Sequence, residues 1–594
     1  MPSIISKLHS PLPAPRWRRG GWKQQCHVAA ASSVEGTAAT RTHSVTANRL
    51  VWDWASGTLS AARLWFLVEG LIADGFKLPA IERLYRIAKH DQDGNANGNL
   101  IKLFEDCGIS GFIDQVGNGI GSVTHLIKPS AIIRMLARQD WAKFELCMGA
   151  VEDNIVSFWR GYFSSSEGRE YCAVHCKLSG KSADSLSRTI PLLLHQDAGP
   201  FSKTKSCMIL DWKPLQGGGI FSDNIYPVFS YLKETGVEES DEAWAMFFKD
   251  LDLLFAGVDE NGDPIVTDPS GNTWSFVLLH SVADFEQHVA WGITSYSTFS
   301  ICKNCKADRG DLPYTDMRPE ADWKASEEQF TNADFINASS NGSHPLRNSE
   351  YWRKEFVRDD LMHMLDHRGV SCHVIGTVWV HLMRNERRLG SSQPRRLTEL
   401  NSMMSEWHSG HMISSKLPSI RKENLFDAAG WAYLKGPLVK SANTRHVVPF
   451  CGQLCEKFYN DDRPWSIAIS TVVRSLLRIY DVLYNSGIVL DRRQHQQLQD
   501  AVDELGRSYM LGRQLAREAG KLYLNIVPKC HFAMHTPREC RLLNARYVQC
   551  YAMENTVGVL TKVWASSKYG PYNKVIQRRV LFKWLIRFII KMDL

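Results

Sequence analysis

At 594 residues the chain has room for roughly four domain-sized units, or fewer if one of them is built around a large insertion. Its 44% hydrophobic and 22% charged content is that of a folded globular protein and excludes collagen, coiled coil and wholesale disorder. The net charge of +7 is modest for this length, so the information lies in how the charge is distributed. No run of about 18 apolar residues occurs. The best candidates, residues 64–72 and 580–590, are short and are interrupted by Glu69 or by Lys583 and Arg587, so no membrane role is expected. The 14 cysteines are scattered, and no apolar secretory segment follows Met1. A reducing compartment is the better expectation than a disulfide framework, which leaves Asn337-Ala-Ser and Asn341-Gly-Ser as unused sequons.

Taken in order, residues 1–49 carry Lys7, Arg16, Arg18, Arg19, Lys23, Arg41 and Arg49 against Glu35 alone, and read as a disordered basic arm. A transit peptide has the same composition. Residues 50–187 read as a helical region, with Ala61, Leu64, Trp65, Val68, Leu71 and Ile72 at helix spacing. The polar run Asp91-Gln-Asp-Gly-Asn-Ala-Asn-Gly-Asn starts like a calcium loop. Its twelfth position is Phe104, however, with Glu105 one residue late, so a surface turn is expected.

From residue 188 the pattern changes to strand. Thr189-Ile-Pro-Leu-Leu-Leu-His195 and Cys207-Met-Ile-Leu210 are short apolar runs suited to buried strands. Residues 253–258, 265–267 and 274–279 read as further strands, separated by the turns Asn261-Gly262 and Pro269-Ser-Gly271. Residues 188–310 are therefore the first part of an α/β core, 311–350 a polar connection, 351–527 a large α-helical insertion and 528–594 the completion of the core. The final stretch holds Lys562, Lys568, Lys574, Arg578, Arg579, Lys583, Arg587 and Lys591 against Asp593. It reads either as a polyanion-binding segment or as a solvated helix face beside Trp564, Phe582, Trp584 and Phe588.

Several familiar signatures fail. Gly180-Lys-Ser182 lacks the upstream glycine of a phosphate loop, His175 standing in its place. Gly117-Asn-Gly119-Ile-Gly121 lacks dinucleotide-binding spacing, and there is no Gly-x-Ser-x-Gly elbow. Cys302-Lys-Asn-Cys305 is tighter, because two thiolates two residues apart can chelate one zinc, but it is half a site. Asp360-Leu-Met-His363, with His367 four residues on, shares one helix face, so a zinc site on Cys302, Cys305, His363 and one further ligand such as Asp360 is one expectation. Buried thiols beside a satisfied histidine are the other. Cys172 and Cys176 with His175, and the pair Cys451 and Cys455, read as core cysteines. Asp197 and Asp284 end two apolar strands, and Glu554 lies in a helical stretch. Each alone is an ordinary first polar residue, but two strand carboxylates and a helix carboxylate that converge can hold two magnesium ions at a scissile phosphate.

Five colinear segments resemble CACTA (En/Spm) superfamily DDE transposases. Asp360-Leu-Met-His363, followed by Ile375-Gly-Thr377, resembles their Asp-x-Met-His segment. His195-Gln-Asp-Ala-Gly-Pro-Phe201 resembles the first-aspartate segment, and Val277-Leu-Leu-His-Ser-Val-Ala-Asp-Phe285 with Cys302-x-x-Cys305 resembles the second. His531-Phe-Ala-Met-His535 and Tyr551-Ala-Met-Glu-Asn555 resemble the His-rich segment and the segment of the last acid. Asn555 replaces the usual arginine, and Asp366-His367 a Lys-Asn pair. Kyakuja-Dileera-Zisupton-type transposases share the acid triad and the Asp-x-x-His element.

The resemblance implies a ribonuclease-H-like mixed-sheet core interrupted by the helical insertion. Asp197, Asp284 and Glu554 would be the catalytic acids holding Mg2+ or Mn2+, with one structural Zn2+ at the cysteine pair. It also implies cleavage and strand transfer at transposon ends in double-stranded DNA, a homo-oligomer on DNA and a nuclear location, while the charge pattern of the C-terminal stretch makes Arg578, Arg579 and Lys583 the expected DNA-binding cations. A domesticated or inactive derivative that binds DNA or protein without cutting is the rival expectation.

Overall fold

The computed structural model describes residues 45–74, 84–85, 100, 109–116, 125–218, 224–233, 241–294, 301–338, 344–411, 413, 416–436, 441–567 and 574–593. The basic arm up to residue 44, the polar run at 91–99 and the glycines at 117–121 lie outside these residues. The architecture is mixed α/β and dominated by helix.

A two-stranded ladder, β1 (Asp114–Gln115) with β2 (His125–Leu126), precedes the main sheet. That sheet has five strands: β3 (Thr189–Pro200), β4 (Ser206–Pro214), β5 (Tyr226–Leu232), β6 (Ser275–Ala283) and β7 (Val357–Asp359). They lie side by side in the order β5-β4-β3-β6-β7. The central position of β3 follows from its sequence. Ile190 and Leu192, Leu193 and Leu194 leave no polar face to solvent, and all are buried, as expected of a strand covered on both sides. β3 runs antiparallel to β4, and β4 antiparallel to β5. β6 and β7 run parallel to β3 and to each other respectively, so the sheet is mixed.

The parallel return from β5 to β6 requires a crossover, and α1 (Asp241–Ala256) lies in it. Residues 253–258, expected to be a strand, begin inside this helix. Trp244, Phe247, Leu251 and Leu254 recur three or four residues apart and bury one stripe, so helical periodicity wins over the short apolar run. Between α1 and β6 the expected strand at 265–267 contributes one isolated bridge, Thr267 to Thr273, and Val258 pairs with Pro264 just before it. Gly262 and Gly271 sit in the intervening turns with φ of 85° and 86°, where other residues are strained.

The segment between β6 and β7 opens with α2 (Phe285–Ala290) and carries the cysteine pair. Beyond β7 come the one-turn helix α3 (Leu361–Leu365), the buried α4 (Val370–Asn385) and the long helices α5 (Ser441–Phe458), α6 (Pro464–Asn485) and α7 (Arg492–Glu518). This is the helical block. The chain then returns through α8 (Pro528–Met534) to α9 (Tyr551–Ser567), which lies on β3 and β4. Gly199 makes that approach possible: a Cβ there would stand 2.3 Å from Thr561 Cγ2 and 2.8 Å from Val557 Cγ1.

The last helix, α10 (Lys574–Asp593), packs on β5, with Trp584 and Phe588 edge-on to Tyr226. Lys583, expected to meet DNA phosphate, is buried at 1% exposure. Its Nζ donates to Ser566 Oγ at 3.2 Å and lies 4.9 Å from the Trp54 ring centroid, and burial pulls its pKa down to about 8. Arg578 and Arg579 are half-buried on the same helix. Apolar packing claims this face of the helix, because Lys583 shares it with the buried Val580 and Leu581 and with Leu585. Lys583→Ala is therefore expected to lower the melting temperature by a few degrees, through the lost stem packing and cation–π contact. The salt dependence of DNA binding should stay unchanged. A flatter salt slope with unchanged melting would return Lys583 to the surface.

Candidate active site and metal centre

Strand register brings Asp197 and Asp284 to one level. His195 of β3 is the partner of Val282 on the parallel strand β6. Two residues further along each strand direction stand Asp197, three residues before the end of β3, and Asp284, just past the end of β6. Asp284 also caps α2, accepting from the Gln287 backbone N–H at 2.8 Å. Glu554 lies in the first turn of α9, the helix packed on β3 and β4. Burial and then the Glu554 carboxylate push Asp197 well above the usual carboxylate range, with Asp284 adding to the rise. Burial likewise raises Glu554, which shares a hydrogen bond with Asp197. The three expected acids are thus brought into one electrostatic cluster.

His195 and Asp211 extend it. They face each other across β3 and β4, with His195 Nδ1 3.2 Å from Asp211 Oδ1, both buried. Burial works against the imidazolium, but Asp211, Asp197 and Glu554 together hold His195 up to about 9. The neighbouring carboxylates thus favour the protonated imidazole of His195 against its burial. The sequence signal for the pair was present only as two polar residues inside apolar strand runs, and it was not singled out.

Asp360 and His363, expected beside the cysteines, belong to this acidic cluster instead. Asp360 caps α3, accepting from the N–H groups of Met362 (3.2 Å), His363 (3.1 Å) and Cys550 (2.8 Å), and from the His363 imidazole. Burial opposes its ionisation, but these bonds hold Asp360 below the usual carboxylate range. The other face of the imidazole looks toward the last acid, with Nε2 3.8 Å from Glu554 Oε1. Three residues on, Asp366 accepts from Tyr551 at 2.5 Å and from Tyr480, so it fixes the turn of α9 that carries Glu554. Burial raises Asp366 to about 6. The departure from the resembled family at position 366 thus has a structural use. His363→Ala leaves the buried Asp360 short of one donor, and a loss of about 1–3 kcal/mol in urea unfolding is expected. Parent-like stability would show that the bond contributes nothing.

The cysteine pair meets two histidines. Cys302, Cys305, His531 and His535 are buried, and their ligand atoms lie within 4.8 Å of one another. Cys302 Sγ stands 3.2 Å from His535 Nε2, Cys305 Sγ 3.3 Å from His531 Nε2, and the two Nε2 atoms 3.1 Å apart. A tetrahedral zinc with bonds near 2.3 Å to sulfur and 2.0–2.1 Å to nitrogen spaces its ligands about 3.3–3.8 Å apart, so the cluster could bind a zinc ion. The spacing His531-x-x-x-His535 puts both imidazoles on one face. Glu327 accepts from His535 Nδ1 at 2.6 Å, which presents the Nε2 lone pair to the cluster. His535 Nε2 and the Cys305 side chain act on Cys302, which despite burial is held well below the usual thiol value. The zinc expectation is corrected in its ligands: His531 and His535 complete the set in place of Asp360 and His363. The i, i+4 histidine pair was visible in the sequence, but nothing local linked it to cysteines more than two hundred residues upstream.

Among the described residues this is the one group of three or more ligand atoms with so tight a spread; Asp197, Asp284 and Glu554 form a wider cluster. The described cysteines are free, and no helix among the described residues is long and apolar enough to cross a membrane. Comparison of the sequence with models of known protein families gives no match, and comparison with curated proteins gives none either.

Proposed function

We propose that this chain is a transposase-like protein with a ribonuclease-H-like core, which hydrolyses DNA strands at transposon ends in a metal-dependent reaction and transfers the freed 3′ end. The observation that carries the reading is the meeting of Asp197, Asp284 and Glu554, which lie 87 and then 270 residues apart in the chain. Burial raises Asp197 and Glu554, the Glu554 carboxylate adds to the rise at Asp197, and hard oxygen donors in that arrangement suit Mg2+ or Mn2+. Two ions about 3.5–4 Å apart would spread their ligands over a wider space than a single zinc does. The strand order, with β4 antiparallel to its neighbours, Asp197 three residues before the end of β3 and Asp284 just past the end of β6, supports the same core. The CACTA-like order of the five segments supports the transposase assignment, with Kyakuja-Dileera-Zisupton-type enzymes as the second choice.

In this reading Asp197 and Asp284 hold the ions from the sheet and Glu554 from the helix. Bound there, the ions would offset the charge of the scissile phosphate and activate a water. His363, fixed by Asp360, orients Glu554, and the tyrosine bond to Asp366 fixes the first turn of its helix. The Cys2His2 cluster is closed by four protein ligands and leaves no position for a reacting water, so its part is structural. Double-stranded DNA, a homo-oligomer assembled on it and a nuclear location follow from the activity. Conversion of supercoiled plasmid to nicked circles by the full chain, with Mn2+ or Mg2+ and not with Ca2+ or chelator, tests the reading. DNA binding without cleavage under all these conditions would instead identify an inactive or domesticated derivative.

A further inference from the structure

Lys529 stands on the Asp284 side of the acidic cluster. It follows Pro528 at the start of α8, and it lines the same small cleft as Asp284, Asp360 and His363. Its ammonium donates to the His367 carbonyl oxygen at 3.0 Å. Among the described residues no carboxylate pairs with it directly. Asp284 is turned to cap α2 and Asp360 to cap α3, although both exert their field on the lysine. An ammonium has three N–H donors, and the His367 carbonyl engages one of them. A half-buried cation in that position is costly unless the cleft receives an anion.

Resting on the cleavage reading above, we propose that Lys529 is a catalytic residue whose Nζ contacts a non-bridging oxygen of the scissile phosphodiester. In hydrolysis the water oxygen forms a bond to phosphorus and the P–O3′ bond breaks. One water proton ends on the leaving 3′ oxygen and the other stays on the new 5′-phosphate, so no further reactant is needed. Negative charge grows on the non-bridging oxygens as the new bond forms. A fixed ammonium in a cleft shielded from water stabilises that charge more than it stabilises the substrate. Lysine suits the task as a compact point charge with rotatable donors. The acids alone would repel the phosphate, and the Lys529 charge offsets them.

The test compares full-length protein with Lys529→Gln and Lys529→Arg, using plasmid nicking in Mn2+ and a separate Mn2+ binding titration without DNA. Lys529→Gln keeps a donor for the His367 carbonyl and removes the charge. Nicking should fall about 10²–10³-fold, mostly in kcat. Mn2+ binding should be unchanged or tighter, because a cation beside the carboxylates is gone. Lys529→Arg should recover part of the rate. Nicking by Lys529→Gln at the parent rate overturns the proposal and leaves the cleavage reading intact. A parallel loss of nicking, Mn2+ binding and thermal stability in both variants overturns it as well, since that is the signature of a structural lysine. If the parent protein itself does not nick DNA, the cleavage reading fails and takes the role of Lys529 with it.

Discussion

Replacing Asp197 by Asn is expected to abolish metal-dependent nicking while making the metal-free protein more stable at neutral pH. The two effects have one cause. Asp197 is pushed up by burial and by Glu554, and Glu554 by burial. A carboxyl whose folded-state pKa is raised binds its proton more tightly when folded. Its contribution to stability is fully present below the unfolded value near 3.9 for Asp and 4.3 for Glu, and is lost as pH rises through the raised folded value. The metal-free parent should therefore lose stability as the pH is taken from about 4 toward neutrality, and Asp197→Asn should flatten that slope. A bound divalent ion reverses the penalty in the parent by favouring the ionised carboxylates, and at a hundred times its Kd adds about 2.7 kcal/mol. The variant should show no such gain. Glu554→Gln should behave in the same way. For nicking, loss of an ion-binding carboxylate should cost at least about 10³-fold, beyond the cost of a single hydrogen-bond donor. Melting curves in chelator and in 5 mM-range Mn2+, about that order being enough for weak carboxylate sites, read both effects. A variant that melts like the parent with and without Mn2+ would show that the acids do not share an ion.

How far the sequence revealed this site depends on the range of the signal. Asp197 and Asp284 were legible because each follows a continuous apolar run, although β3 itself continues past Asp197 to Pro200. Their register across β3 and β6 is a property of the sheet, and so is the pairing of His195 with Asp211. No local pattern announces a cross-strand histidine and aspartate. The helical block was legible from periodicity alone in α6 and α7. Residues 253–258 were misread, because six apolar-rich residues fit a strand as well as the end of a helix. The burial of Lys583 in the basic C-terminal stretch was hidden for a related reason. A count of charges says nothing about which side of the helix faces Tyr226, and Lys583 can bury its stem along Trp54 despite its charge. Asp360 and His363 were recognised as partners on one helix face, and the structure keeps that partnership. It assigns the pair to Glu554 because α3 begins where β7 ends, beside the acids.

Removing the metal from the Cys2His2 cluster is expected to cost more stability than any single surface change, and to reach the acidic site as well. About one zinc per chain should be found by elemental analysis of the purified protein. Structural zinc sites supply about 10–16 kcal/mol in small peptides. In a chain with a large core the share is smaller, and a fall of roughly 5–10 °C in melting temperature is expected for the Cys302→Ser, Cys305→Ser double variant. The effect should spread through the two residues between the cysteines. Lys303 Nζ donates to Glu539 Oε1 at 2.9 Å and stands 3.5 Å from Asp359 Oδ2, while Asn304 Nδ2 donates to both carboxylates, at 3.1 and 3.3 Å. Glu539 lies one helical turn beyond the ligand His535, and Asp359 is the residue before Asp360. These groups are buried, and a buried charge that loses its partner is strongly destabilising. If the metal sets the Cys302–Cys305 turn, its loss frees Lys303 and Asn304 and unsettles the end of β7, from which Asp360 and His363 reach Glu554. Mn2+ binding at the carboxylates should then weaken in the double variant, although no carboxylate has been touched. Protein prepared without chelator that contains no zinc, and a double variant that melts with the parent, would reduce the cluster to four packed side chains. A double variant that loses zinc and stability but binds Mn2+ like the parent would keep the zinc site and break its connection to the acids.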